Sequence, residues 1–254
     1  MRYGSSPHPG KKGIIVKVIV DTRENMARRA ADLYKEVLAA KPNAVLGFAT
    51  GSTPLDLYAE LVRRVEAKEM SFAGVTTFNL DEYVGLAPTH DQSYRYFMDK
   101  NLFEKIDLDP ARVHIPSGLK VGEAETALYE KTIEEAGGID MQLLGIGHNG
   151  HIGFNEPNTP FGSLTHKVTL TDSTIEANSR FFASKDEVPK EAVTMGIRTV
   201  MNCRRLVLIA LGEGKAEIIR KTVQGPVTEE VPASVLQLHP DAYIFADHDA
   251  AKYL

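Results

Sequence analysis

The sequence predicts an α/β protein: an open parallel sheet with helices on both faces, built as a single domain. Three observations predict it. From Ile14 onward, short apolar runs rich in β-branched residues alternate with longer stretches of helical period, the pattern of parallel strands joined by helical crossovers. Several runs are apolar at every position, as interior strands covered on both faces must be. No Gly/Ser/Pro-rich linker splits the 254 residues into comparable halves, and no internal repeat is visible.

The elements follow in order. Residues 1–13, MRYGSSPHPGKKG, carry the basic charge of a signal peptide but lack its apolar stretch, so they are expected to be a flexible leader or a remnant of expression. The domain is expected to span residues 14–254. A first strand is expected over Ile14–Val20 (IIVKVIV) and a helix over Arg23–Ala40. The second strand is Ala44–Ala49 (AVLGFA), followed by a helix over Pro54–Ala67. Pro54 sits where a proline at the first helical position belongs, because that N–H has no intrahelical partner anyway. Further strands are expected at Val75–Leu80, Met141–Ile146, Lys167–Leu170, Leu206–Leu211 and Ala242–Phe245. Helices are expected at about Ser93–Leu102, Val121–Ala136 and Lys215–Val223.

Composition bounds the function. With 43% hydrophobic and 25% charged residues the chain is neither disordered nor fibrous. The balance of 29 Lys+Arg against 34 Asp+Glu gives a formal charge of −5 without a basic block, which argues against nucleic-acid binding. No window offers the roughly 18 uninterrupted apolar residues of a membrane helix. The lone cysteine, Cys203, cannot form an internal disulfide, so a cytoplasmic location is expected.

In an open parallel sheet, ligands bind beyond the carboxyl ends of the strands, so the residues just after each apolar run carry the information. Thr50-Gly51-Ser52-Thr53-Pro54 joins a buried strand to a helix start, leaving free N–H groups and the positive end of a helix dipole that suit a phosphate; a plain cap and turn is the alternative. It is not a Walker A loop, because the Gly-Lys-[Ser/Thr] ending is missing. Gly212–Lys215 repeats the arrangement, and Lys215 opposes the helix dipole unless an anion sits beside it. Arg180, beside Phe181 and Phe182, is either a phosphate clamp or a guanidinium whose stem packs on its neighbours.

Asp81 and Glu82 end the third strand, and alternation lets only one face a given pocket; Asp81 is chosen as a general base, against the alternative of a surface or N-cap carboxylate. Gly145-Ile-Gly-His-Asn-Gly150 matches the dinucleotide fingerprint, with Asp172 about twenty residues on. The residues from His151 to Gly162 are nevertheless too rich in Pro, Gly and Asn to open the helix that the fingerprint requires. What remains is a loop carrying His148, His151 and Glu156. Its spacing is poor for a metal and suits an acid/base histidine oriented by a carboxylate.

Three segments, Asn79-Leu-Asp-Glu-Tyr-Val-Gly85, Gly147-His-Asn-Gly-His-Ile-Gly-Phe-Asn-Glu-Pro157 and Asn178-Ser-Arg-Phe-Phe182, resemble the glucosamine-6-phosphate deaminases over about Ile14–Phe245. The Gly-His-Ile-x-Phe-Asn-Glu-Pro block is the specific one; the Thr-Gly-Ser-Thr-Pro turn is shared with related sugar-phosphate proteins. The resemblance implies a Rossmann-like parallel sheet. It implies conversion of glucosamine 6-phosphate and water to fructose 6-phosphate and ammonia in amino-sugar catabolism, a hydrolase/isomerase chemistry using no metal or redox cofactor. By that resemblance Asp81 moves the C2 proton to C1, His151 opens the pyranose ring, and Glu156 orients and charges the imidazole. Thr50, Gly51, Ser52, Thr53, Arg180 and Lys215 would hold the phosphate.

Many members have aspartate at the position of Asn149, so His151 here is expected to have one carboxylate partner fewer, although asparagine can still accept a hydrogen bond from imidazole. Some members are hexamers activated by N-acetylglucosamine 6-phosphate through basic residues after the Glu-Pro motif. Asn158–Leu170 offers only His166 and Lys167, which favours an unregulated enzyme and leaves homo-oligomer formation open. The rivals are a 6-phosphogluconolactonase, whose pattern lacks Phe154–Pro157, and a non-catalytic sugar-phosphate sensor, which would need neither Asp81 nor His151.

Overall fold

Seven strands form one parallel sheet whose chain order reverses at its centre. The structure is a computed structural model that describes residues 16–179, 182 and 184–254. The leader, Ile14, Ile15 and Arg180 lie outside the described residues. The strands are β1 (Lys17–Val20), β2 (Val45–Phe48), β3 (Thr76–Asn79), β5 (Val113–His114), β6 (Met141–Leu144), β9 (Leu206–Ala210) and β10 (Ala242–Ala246), in spatial order β1-β10-β9-β6-β2-β3-β5. Every pairing is parallel. β2, β6 and β9 are buried at every position, as interior strands covered on both faces require, Gln142 of β6 included.

The helices are α1 (Arg23–Ala40), α2 (Leu55–Glu66), α3 (Tyr94–Asn101), α4 (Glu123–Glu135), α5 (Asp172–Ser179), α6 (Ile197–Met201) and α7 (Ala216–Gln224). Thr22 and Ser93 cap α1 and α3 by accepting from Asn25 N and Tyr96 N. The sequence boundaries of α1 hold. Pro54 stands one place before α2 as its cap, its carbonyl accepting from Tyr58 N at 2.9 Å, rather than at the first helical position. Lys215 likewise precedes α7, because Glu213–Lys215 forms a 3-10 turn. Short elements without strong periodicity, namely β5, α5 and α6, were not foreseen.

The sequence reading is corrected at the third strand. After β3 the chain leaves the parallel sheet at Leu80 and enters a second sheet of three antiparallel strands: β4 (Asp81–Tyr83), β8 (Glu191–Thr194) and β7 (His166–Thr169), in the order β4-β8-β7. The segment expected as a parallel strand at Lys167–Leu170 is β7 of this small sheet. Its alternation of half-buried and exposed residues suits a strand covered on one face only. Leu80 is the seam: its N–H donates to Phe48 O of β2 at 3.2 Å, and its carbonyl accepts from Met195 N, just past β8, at 2.7 Å.

Candidate active site

β2 leads on to β3 at one side and β6 lies at the other, so the crevice between their carboxyl ends is the switch point of the sheet. A cavity of about 500 Å³ opens there. Its wall includes Thr50, Gly51, Ser52 and Thr53 after β2, Asp81 on β4, Asn149 and His151 after β6, and Lys215 after β9. All these predicted site residues share one cavity, whereas Arg180 lies outside the described residues.

The Thr50–Thr53 turn bends at Gly51, whose φ of +95° is a backbone setting that L side chains rarely adopt. The α2 cap makes no side-chain hydrogen bond, so the first N–H groups of α2 are not satisfied by that residue. Lys215 Nζ is held over the far side by a 2.7 Å hydrogen bond to Ile146 O, at the end of β6. A lysine and a helix N-terminus lining one cavity are an arrangement that suits an anion.

Asp81 is 7% exposed, and burial, helped by the charge of Glu82, pushes its carboxyl up to about 8. The alternation of β4 separates the two acids. Glu82 turns away from the cavity and accepts backbone N–H bonds from Tyr83 (2.9 Å), Tyr94 (2.9 Å) and Arg95 (3.1 Å), which ties β4 to the start of α3.

The loop after β6 carries the imidazole and its carboxylate. No helix follows the glycines, as the Pro/Gly/Asn content requires. Gly147 N donates to His151 O at 2.9 Å, closing a tight turn. Asn155 donates to Ile152 O (2.9 Å) and Met195 O (2.8 Å), and Thr194 of β8 accepts from Phe154 N (3.1 Å), so the loop is stitched to the small sheet. Glu156 Oε2 lies 3.5 Å from His151 Nδ1, which makes no hydrogen bond among the described residues.

Asn149 does not reach the imidazole: it donates to Glu156 Oε2 at 2.6 Å and accepts from the His151 backbone N–H at 3.2 Å. The hydrogen bond that asparagine can accept from imidazole is thus not made here; its oxygen is taken by the His151 backbone N–H instead. Thr174 on α5 donates to Glu156 Oε1 at 2.6 Å. Burial alone would raise the Glu156 carboxyl; contacts from His151, Thr174 and Asn149 outweigh it and hold the group down to about 2.

Sequence reasoning missed two parts of this site. One is an aromatic wall: Tyr83 lies 4.8 Å from Tyr94, which stacks on Phe154 at 6.1 Å, with Phe182 edge-on to Tyr83 at 5.9 Å. Tyr83, Phe154 and Phe182 stood inside the quoted motifs, so their position was the available signal. The other is Thr174, in a short helix without strong periodicity. Among the described residues no group of three His, Cys, Asp or Glu side chains is arranged to hold a metal. None of the described helices is long and apolar enough to cross a membrane. His166 Nδ1 contacts Leu164 O at 2.8 Å, and Lys167 pairs with Glu191 at 2.8 Å.

Fold and site together define a Rossmann-like α/β protein whose switch-point cavity joins a glycine turn at the start of a helix to a buried carboxylate and an imidazole–carboxylate pair. The chain belongs to the glucosamine-6-phosphate isomerase/6-phosphogluconolactonase family, whose model matches residues 20–244. It is 51% identical over 241 residues to a glucosamine-6-phosphate deaminase of Thermoanaerobacter pseudethanolicus, covering 94% of this chain and 95% of that protein. A glucosamine-6-phosphate deaminase of Hahella chejuensis is also 51% identical, over 93% of this chain and 91% of its own length. A solved structure described as a monomeric glucosamine-6-phosphate deaminase superposes with a TM-score of 0.92 at 45% identity, covering 94% of this chain and 100% of that one. The 6-phosphogluconolactonase of Thermotoga maritima, 18% identical with a TM-score of 0.72 over 92% and 99% of the chains, shares the fold.

Proposed function

We propose that residues 14–254 act as one unit that converts glucosamine 6-phosphate and water to fructose 6-phosphate and ammonia, in cytoplasmic amino-sugar catabolism. The observation that carries this reading is the convergence on one cavity of the Thr50–Thr53 turn and Lys215 with Asp81 and His151. The relatives at about half identity support it, and so do the buried carboxyl and the imidazole pair that an isomerisation of an amino sugar needs.

The phosphate is held by Thr50, Gly51, Ser52, Thr53 and Lys215, with Arg180 as a further cation. Anchoring the remote end fixes the reacting carbons, and fixed geometry can lower a barrier by up to about 7 to 11 kcal/mol. His151 transfers a proton at the ring oxygen to give the open-chain aldehyde, with Glu156 stabilising the charged imidazole and Asn149 aiming Glu156. Asp81, deprotonated, takes the C2 hydrogen and returns it to C1, while a proton from the substrate nitrogen passes to the C1 oxygen. The product of that step carries a C1 hydroxyl and a C2 iminium. Water adds at C2, and ammonium leaves as the ketone forms. The chemistry is an isomerisation coupled to deamination, which is more specific than the hydrolase class.

The contacts of His166 and Lys167 support an unregulated enzyme. One experiment tests reaction and regulation together: ammonia release from glucosamine 6-phosphate without added metal, with and without N-acetylglucosamine 6-phosphate. Ammonia at the same rate in both arms is expected. Its absence, alongside rapid hydrolysis of 6-phosphogluconolactone, overturns the reading.

A further inference from the structure

We infer that Thr174, on the first turn of α5, is a positioning residue that aims Glu156 at His151. The inference rests on the reading above, in which His151 and Glu156 act as a pair. Its basis is geometric. Oε2 of Glu156 is fixed from the loop by Asn149 at 2.6 Å, but one hydrogen bond leaves a carboxylate free to swing about that contact. Two hydroxyls reach Oε1 from outside the loop: Thr171 Oγ1 lies 3.4 Å away, while Thr174 Oγ1, on α5, donates at 2.6 Å and is the short contact that fixes the carboxyl plane.

The Thr171 hydroxyl has one proton and lies nearer Thr174 Oγ1, at 3.0 Å, than Glu156 Oε1, at 3.4 Å; given to Thr174, that proton leaves the Thr174 proton for the carboxylate. Thr174 is 6% exposed, so water competes little for that bond. The leverage is large because His151 Nδ1 lies 3.5 Å from Oε2, a separation at which a small rotation makes or breaks a hydrogen bond.

The same small sheet supports both ends of the chemistry. Asp81 lies on its edge strand β4, and α5 follows its other edge strand, β7. Between them Thr194 of β8 is paired with Asp81 on one side and His166 on the other, and it accepts from Phe154 N, two residues before Glu156.

The test compares Thr174→Val, which removes the hydroxyl at constant shape, with Thr174→Ser, which keeps it. In the ammonia assay Thr174→Val is expected to lower kcat about tenfold with KM within twofold, and Thr174→Ser to restore kcat to within twofold of the parent. In a Glu156→Gln background Thr174→Val should cost nothing further, because the two residues act through one another. A parent-like kcat for Thr174→Val, a rise in KM alone, a serine variant as impaired as the valine variant, or a further tenfold loss in the Glu156→Gln background overturns the inference. Thr174→Ala carries the same expectation should the valine variant not fold. A substrate-free readout separates the two levels: the His151 Nδ1 resonance should move in Thr174→Val and stay in Thr174→Ser. If the parent released no ammonia, the functional reading would fall and this resonance would still decide the role of Thr174.

Discussion

Gly147 lies directly against the imidazole of His151: a β-carbon at 147 would stand 2.2 Å from Cε1 and 2.4 Å from each ring nitrogen. The histidine occupies space that only glycine leaves free. Gly147→Ala must therefore push the ring aside while leaving Asp81 and the Thr50–Thr53 turn in place. A displacement of about 1 Å in a catalytic group can cost about a hundredfold, so kcat should fall by that order with little change in KM. Steady-state kinetics check this, and a parent-like kcat would show that the position of His151 does not matter.

Asp81→Asn removes the proposed C2 base without changing its size. Proton transfer by a positioned group contributes roughly a hundred- to ten-thousandfold, so ammonia release should fall within that range. Exchange of the C2 hydrogen with deuterated solvent should disappear, while inhibition by inorganic phosphate is kept. Continued exchange at C2 would take Asp81 out of this role.

The same variant should respond to pH. Burial lifts the Asp81 carboxyl from 3.8 to about 8, so between those values the folded chain keeps a proton that the unfolded chain has released. The stability owed to this group is complete below the unfolded pKa and is lost as the pH rises to about 8. Asparagine imitates the protonated form. Thermal melts should therefore show Asp81→Asn gaining little over the parent at acid pH and at least about 3 °C at alkaline pH, the shift produced by roughly 1 kcal/mol in a chain of this size. A gain independent of pH would contradict the burial argument.

Lys215→Ala should act on binding. Its ammonium donates to Ile146 O at 2.7 Å, at the end of β6, and lines the cavity. A charge-assisted contact is worth about 1.5 to 3 kcal/mol, so KM should rise by about 10- to 150-fold with kcat much less affected. An unchanged KM would remove Lys215 from the phosphate site.

Glu82→Ala should destabilise the fold. Three backbone N–H groups at β4 and the start of α3 lose their acceptor, and a buried group left unpaired costs about 1 to 3 kcal/mol. Melting should fall by several degrees. A Tm equal to that of the parent would mean that water replaces the carboxylate freely.

The parallel sheet was legible because β2 and β9 are apolar throughout and β6 is broken only by Gln142, and the rule that ligands sit beyond strand ends pointed to Thr50–Thr53, Asp81, His151 and Lys215 from the sequence. The small sheet was not legible. β7 was expected as a strand and only its sheet was misplaced, whereas β8 (Glu191–Thr194) was not foreseen, so the partner that draws the chain away at Leu80 was missing. Thr174 was hidden for a related reason: its partner is eighteen residues distant across a loop, and no periodicity marks so short a helix. The orientation of Asn149 was equally out of reach, since a side-chain amide can serve either neighbour and only packing decides which.

The seam at Leu80 makes the cavity a gauge. The Thr50–Thr53 turn extends from the parallel sheet and Asp81 from the small one, and the Leu80 backbone is hydrogen-bonded to both sides. The span between anchor and base is thus set by main-chain geometry, which side-chain substitutions in the core alter little. With the phosphate in the turn as proposed, that span selects a sugar phosphate by its length: a shorter one seated in the turn falls short of the carboxylate.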